Sequence, residues 1–413
     1  MMEDSKGQNV SEVIHHSSFS IQRLRVLIIH NRYRQPGGED VVAAAQARLL
    51  REKGHEVLLL EKDNREIDGY GLLRKAALFF HTADNPFAAA EVRKAVRDFK
   101  PQAAHIHNTL PLFSPSIYAP LAKAGVKVIQ FLHNYRLLCA AGTLYRQGAP
   151  CVLCADGDPS PAVAHRCWAD SEFASLAFTR MLRRHRRLRT WHEKVDLFVA
   201  LNSYMRGLTV QHGLVPADKI VVQPNFLYVE APPAAPDAVG AGFLFAARLV
   251  PEKGVATLLR AHELCREARL EIIGDGPLLP PSPAPPFAGR LPREEVLRRL
   301  GAARALIFPS EWPEGCPSTI IEAMALGKPV IASRVPGAAE LVEDGVTGLL
   351  FPPGDAAALA ARMQRLQDDP QLAARLGGAG REKYGREYSP EAGYRRMVEN
   401  YRQLGLVSAT QGG

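Results

Sequence analysis

The stretch LRVLIIHNRYRQPGGEDVVAAAQARLLREKGHEVLLLE, Leu24 to Glu61, sets the fold class. LRVLIIH (24–30) is a short apolar run suited to a parallel strand buried on both faces. A glycine turn follows, and EDVVAAAQARLLREKG then carries a helical pattern, with Gly54 placed to stop it. HEVLLLE is the next strand. Strand, turn, helix and strand make one βαβ unit. The alternation continues through AAHIH (103–107), VKVIQFLH (126–133) and DLFVALN (196–202), separated by helix-length segments. Repetition of this kind predicts an α/β fold built on a doubly wound parallel sheet.

The Pro- and Ala-rich stretch from Ala231 to Ala238 cannot continue a helix or a central strand, so it reads as a linker. After it the pattern restarts: GFLFAAR, GVATLLRAHELCREA, LEIIGDG, ARALIFPS and PVIAS read as strand, helix, strand, strand and strand. The chain has 413 residues, which also favours two domains. The expected organisation is a disordered tail at 1–22 and an N-terminal domain at 23–228 with a Cys-rich insertion at 139–167. A second domain follows at 229–385, and a C-terminal helix at 386–413 crosses back to the first. In open α/β sheets ligands sit beyond the carboxyl ends of the strands, so two facing sheets make a cleft there.

Composition is that of a globular protein, 46% apolar and 23% charged, with no run long enough for a membrane helix. The first 20 residues lack the apolar core of a signal peptide, which points to a cytoplasmic protein. The formal charge of +8 favours anionic partners, and much of it lies in RMLRRHRRLRTWHEK, Arg180 to Lys194. That run could hold anionic headgroups at about 1 kcal/mol per basic side chain, or be a solvated helix face. The amphipathic YGLLRKAALFFH (70–81) fits a membrane contact or a helix packed on its own sheet. No nucleic-acid module signature is present, so nucleic acid is not an expected partner. No G-x-G-x-x-G follows the first strand, which counts against NAD.

The densest chemistry lies in PSEWPEGCPSTIIEAMALGKPVIAS, Pro309 to Ser333. Thr319 and Glu322 fit a capping box, a purely structural role. A helix N-terminus beside a strand end also favours phosphate. Of the two carboxylates, Glu314 can accept from hydroxyls and Glu322 can hold a ribose diol. In ARLVPEKG, Arg248 and Lys253 follow a strand. They could neutralise a diphosphate and the charge growing on it as it leaves. IIGDGP ends a strand in a tight turn at Gly274 and Gly276.

EGCPSTIIE resembles the E-x7-E motif of retaining glycosyltransferases of family 4 (group 1), which have the GT-B fold. FPS-x-x-x-EG…EAMALGKPVIAS is similar over about 25 positions. The resemblance implies two Rossmann-like domains, the first binding acceptor and the second a UDP- or GDP-linked sugar. It implies that Glu314 contacts the donor sugar and Glu322 the ribose. Backbone near Gly315, Cys316, Pro317 and Ser318 would line the sugar and phosphates, and the Gly274–Gly276 turn would approach the base. Alkylation of Cys316 should then impair donor binding. Arg248 and Lys253 resemble the family's R-x4-K pair. Gly37 and Gly38 resemble its GG-x-E loop, with Glu39 displaced by one. His133 resembles the residue that contacts the transferred sugar, while His107 and Asn108 look placed to meet the acceptor. His105 is expected in the core.

No nucleophile stands out, and the family is thought to use front-face attack assisted by the leaving phosphate. No catalytic cofactor is expected. Cys139, Cys151, Cys154 and Cys167 read C-x11-C-x2-C-x12-C, a spacing that suits a structural zinc site or else buried thiols. A subset of family 4 carries a similar insertion. Cys265 reads as a core residue on a helix.

The function expected is retaining transfer of a sugar to a glycan or lipid-linked glycan in cell-surface polysaccharide synthesis, in the cytoplasm or peripherally on the inner membrane face. A GT-B epimerase or phosphorylase, and a non-enzymatic nucleotide- or nucleic-acid-binding protein, are the alternatives.

Overall fold

Val26 to Ile29 have no solvent exposure and form the middle of the first strand, so the Leu24 run is a strand covered on both faces. In the computed structural model, residues 22–34, 37–230, 242–282 and 284–408 are described. Residues 1–21 of the expected tail and the expected linker from Ala231 to Ala238 lie outside them.

The first sheet holds β1 (Arg25–Arg32), β2 (Glu56–Asp63), β3 (Ala103–Ile106) and β4 (Lys127–Leu132). A two-residue hairpin, β5 (Tyr145–Arg146) and β6 (Ala149–Pro150), lies in the Cys-rich insertion. The sheet is completed by β7 (Leu197–Ala200) and β8 (Ile220–Val222). Its order is β2-β1-β3-β4-β7-β8, all parallel. The second sheet holds β9 (Gly242–Ala246), β10 (Arg269–Ile273), β11 (Phe287–Gly289), β12 (Ala305–Phe308), β13 (Val330–Ser333) and β14 (Gly348–Phe351). Its order is β11-β10-β9-β12-β13-β14, also all parallel. The edge strand β11 falls within the proline-rich segment after the glycine turn, where prolines obscure any strand pattern.

Strand order reverses between β1 and β3 in the first sheet and between β9 and β12 in the second. These switch points open a crevice at the carboxyl ends of the flanking strands.

Seven helices matter for the site and the surface. They are α1 (Gly38–Glu52), α2 (Leu72–His81), α3 (Glu172–Arg187), α4 (Arg293–Ala302), α5 (Ser318–Ala325), α6 (Pro370–Lys383) and α7 (Pro390–Gln403). Glu39 and Asp40 in the first turn of α1 and Arg51 in its last match the helix dipole, and Gly54 takes a left-handed conformation just beyond its end. Cys265 is buried but stands one residue beyond its helix, Val255–Leu264, not on it.

After α6 the chain returns to the first lobe. Met397, Val398 and Tyr401 of α7 pack with Leu24, Val26 and Leu50 in one buried cluster. The Tyr401 hydroxyl lies 3.0 Å from His105 Nε2, whose Nδ1 lies 2.9 Å from Gln46 Oε1 of α1. Tyr394 makes the same kind of contact with His55, at 3.0 Å. The first sheet is therefore sealed by a helix from the far end of the chain. No helix among the described residues is long and apolar enough to cross a membrane.

Tyr401→Ala should lower stability by about 3–5 kcal/mol by opening a cavity. Tyr401→Phe should cost about 1–3 kcal/mol by leaving His105 Nε2 unpaired in the core. The midpoints of urea unfolding check both.

Candidate active site

Glu314 follows β12 and Lys253 follows β9, the two strands flanking the second switch point. Gly254 lets them meet. Its φ is +72°, and a Cβ there would lie 1.9 Å from the Pro309 carbonyl oxygen. Any side chain would push the Lys253 turn away from the end of β12. Instead Glu311 N donates to the Glu252 carbonyl at 2.9 Å, and the two loops run together.

Three donors converge on one oxygen. Glu314 Oε1 accepts from Lys253 Nζ at 2.6 Å, Ser310 Oγ at 2.7 Å and Trp312 Nε1 at 2.7 Å. Glu314 is only 6% exposed. A buried carboxylate needs this density of partners to offset its lost hydration.

The backbone of the same residue joins the lobes. Asn202, which follows β7 of the first sheet, donates from Nδ2 to the carbonyls of Glu314 (2.8 Å) and Gly315 (2.7 Å). Gly337, at φ +82°, presses on these carbonyls from the other side, where a Cβ would come within 2.4 Å and 2.6 Å. A Cβ on Gly315 would meet Leu201 Cδ1 at 3.2 Å and the His133 carbonyl at 3.3 Å.

Arg248 is exposed and has no ion pair among the described residues. Its neighbour Leu249 is held by the glycine turn, with Leu249 N donating to the Asp275 carbonyl at 2.7 Å. The structure thus brings Gly274 and Gly276 against the Arg248 loop.

Glu322 lies inside α5 and is 7% exposed. The capping box with Thr319 does not form, because Pro317 is the N-cap residue and the helix has no side-chain cap. Glu322 Oε1 pairs instead with Arg293 of α4 at 2.9 Å. Burial pushes the Glu322 carboxyl up, and Arg293 opposes that shift. Cys316 is half-buried. Burial pushes its thiol up to about 12, which disfavours the reactive thiolate at neutral pH.

The N-termini of two helices converge across the cleft. A Cβ on Gly38, at the start of α1, would lie 3.9 Å from the hydroxyl of Ser318, at the start of α5. Helix starts carry unpaired N–H groups and a positive dipole end, so the gap between them suits an anion.

At the carboxyl ends of β1, β3 and β4 lies a wall of histidines, His30 within β1 and His107 and His133 just beyond β3 and β4. His107 Nδ1 is 2.8 Å from His133 Nε2, and the rings stack at 5.1 Å. His30 meets the His107 ring edge-on at 6.0 Å and pairs with Asp40 at 2.8 Å. Nε2 of His107 and Nδ1 of His30 are buried without a hydrogen bond. Asn108 does not present a free amide. Its Nδ2 donates to the Asn31 carbonyl at 2.6 Å and its Oδ1 accepts from Leu110 N at 3.1 Å. It shapes the loop that carries His107.

A second polar group was not singled out from the sequence. The Tyr33 hydroxyl donates to Glu39 Oε2 at 2.6 Å and accepts from Arg136 at 2.6 Å, with Asn134 beside them. His107, His133, Glu39 and Arg136 line one pocket, whose floor includes Met181 of α3. The signal available was position: Tyr33 and Arg136 follow the ends of β1 and β4. Asn202 and Arg293 were missed as well, because their partners lie far away in sequence, and Trp312 was missed although its partner Glu314 is only two residues on.

The four clustered cysteines are free thiols lining one cavity with His165. Burial, then the neighbouring thiols, pushes Cys154 up to about 11 and Cys167 upward too. Among the described residues no three His, Cys, Asp or Glu side chains are grouped as a metal ion needs. The thiols share a cavity without forming a closed cage.

Residues 36–230 match the family described as Glycosyltransferase Family 4, and residues 240–383 match Glycosyl transferases group 1. Alpha-D-kanosaminyltransferase of Streptomyces kanamyceticus is 29% identical over 177 residues, 40% of this chain and 46% of that protein. Amylovoran biosynthesis glycosyltransferase AmsK of Erwinia amylovora is 32% identical over 183 residues, 39% and 44% of the respective lengths. The match spans less than half the length of these curated relatives. Sucrose-phosphate synthase from Thermosynechococcus elongatus superposes with a TM-score of 0.65 at 21% identity, over 92% of this chain and 99% of that one. Anabaena Alr3699/HepE in complex with UDP gives 0.63 at 17% identity, over 92% and 100%, and has also been solved with UDP-glucose. At these identities the likeness establishes the fold, which is GT-B.

The buried histidines set a pH dependence. Burial holds His105 down to about 3, His107 well below its ordinary value and His133 below it. The unfolded chain takes up these protons near pH 6.5. Below that pH the unfolded state binds more protons than the folded state, so stability falls as pH falls. Each neutral histidine contributes a slope of up to about 1.4 kcal/mol per pH unit. The melting temperature should drop between pH 7 and pH 5, and a flat profile would contradict this burial.

Proposed function

The chain belongs to family 4 of the glycosyltransferases, and from that premise we propose that it moves a sugar from a nucleotide donor to a hydroxyl acceptor with retention of configuration. The carrying observation is Glu314, held at the switch point by Lys253, Ser310 and Trp312. The donor diphosphate would lie between the starts of α1 and α5, against Arg248 and Lys253. These cations neutralise the diphosphate and the charge that grows on it as the glycosidic bond breaks. Oε1 of Glu314 is taken up by its three donors, and Oε2 is the oxygen left to accept from the sugar hydroxyls. Glu322, drawn to Arg293, would accept from the ribose.

His133 is held neutral by burial, so it can share a hydrogen bond with the transferred sugar without adding charge. The pocket of His107, Glu39 and Arg136 is the acceptor side. No residue is assigned as nucleophile, and attack on the donor's own face is the reading adopted, with the leaving phosphate taking the acceptor proton. The UDP and UDP-glucose bound by the Anabaena protein favour a UDP-linked donor. AmsK is named for amylovoran biosynthesis, and the acceptor proposed here is a glycan or lipid-linked glycan in cell-surface polysaccharide synthesis.

We also infer that Cys139, Cys151, Cys154 and Cys167 hold a structural zinc. The support is the donor set alone, four thiols around one cavity, and since no three of them stand together as a metal needs among the described residues, they would have to draw in around the ion. Elemental analysis should find about one zinc per chain, lost in C151S/C154S. A zinc-free native protein rejects the assignment.

Glu314→Gln and Lys253→Ala should each lower kcat/KM by about 10²–10³-fold, or about 3–4 kcal/mol, if they act on the transition state. Donor turnover without acceptor would indicate an epimerase, and a need for inorganic phosphate a phosphorylase. The anomeric configuration of the product, read by NMR, decides retention.

A further inference from the structure

We infer that the face formed by α2 and α3 docks on an anionic lipid bilayer. α2 buries none of its residues. Leu73, Ala76, Ala77 and Phe80 recur at the spacing of one helix face. Leu72 and Leu73 are 85% and 87% exposed, and Phe80 is 58% exposed. A soluble helix that packs on its own sheet would bury such a stripe.

The apolar patch continues onto α3. Phe79 stacks on Phe173 with ring centroids 4.6 Å apart, and Phe173 is itself 57% exposed. The solvent face of α3 starts apolar, at Phe173 and Leu176, and becomes cationic at Arg180, Arg183, Arg184 and Arg187. The Arg180 guanidinium lies 5.3 Å from the Phe80 ring. Two segments about 100 residues apart in sequence thus form one surface.

Its charge is not internally cancelled. Arg183 pairs with Asp158 and Arg184 with Asp84. Among the described residues Arg74, Lys75, Arg180 and Arg187 have no ion pair. Exposed Leu and Phe bounded by unpaired Lys and Arg match the two layers of a bilayer surface, acyl chains beneath anionic headgroups. A protein partner would need acidic side chains around an apolar groove, and a second copy would set these cations against each other. Charge complementarity therefore selects the lipid.

The opposite side of α3 carries Met181 into the pocket of His107 and His133. Docking would hold that pocket beside the bilayer.

The test is co-sedimentation with phosphatidylcholine vesicles, with and without phosphatidylglycerol. No nucleotide sugar is present, so the outcome is independent of sugar transfer. The full chain should bind the anionic vesicles at least tenfold more strongly than the neutral ones, and high salt should weaken that binding. L72S/L73S and R180E/R187E should each cut binding at least tenfold with the melting temperature unchanged. Equal binding to both vesicles, no binding to either, or full binding by both variants would overturn the inference. Light scattering that shows a dimer split by L72S/L73S would also overturn it, assigning the patch to self-association.

Discussion

The carboxylate and backbone of Glu314 carry the organisation of the cleft. One oxygen takes an ammonium, a hydroxyl and an indole N–H, and the carbonyl is grasped by an amide from the other lobe. A charge this buried is tolerated only because its partners are already in place. The partners come from the ends of β7, β9 and β12, so the site exists only when both sheets have formed and face one another. Gly254 and Gly337 allow the approach by leaving space where a side chain would stand.

The two sides of the cleft use opposite electrostatic devices. The second lobe gathers charge, with Lys253 on one carboxylate and Arg293 on another. The first lobe instead stacks and desolvates His107 and His133, and burial favours their neutral form. An anionic group is then drawn to one wall, while the His107–His133 pair on the other offers hydrogen bonds from neutral rings. The tyrosine, glutamate and arginine network over the first wall adds the polar contacts that a hydroxyl-rich acceptor needs.

Much of this was legible beforehand. Parallel strands buried on both faces read as continuous apolar runs, which is why β1, β4, β7, β9 and β12 stand out. Glu314 and Lys253 stood out because each sits in a loop straight after a strand. β11 was hidden among prolines. The capping box was misleading, since Pro317 takes the N-cap position and leaves Thr319 inside the helix. Asn108 looked like a donor to a ligand, yet its amide is engaged with its own loop.

Periodicity and turn residues are local, so the chain alone determined the two α/β halves, the strands and the loops that carry charge. It could not determine who meets whom. Asn202 reaches Glu314 across 112 positions, Tyr401 reaches His105 across 296, and Phe79 stacks on Phe173. Pairings of that range depend on strand order and on how two sheets face each other, and no local pattern encodes them. Strand order put the cations, the carboxylates and the neutral histidines on opposite sides of one crevice, and it put an apolar helix beside a basic one.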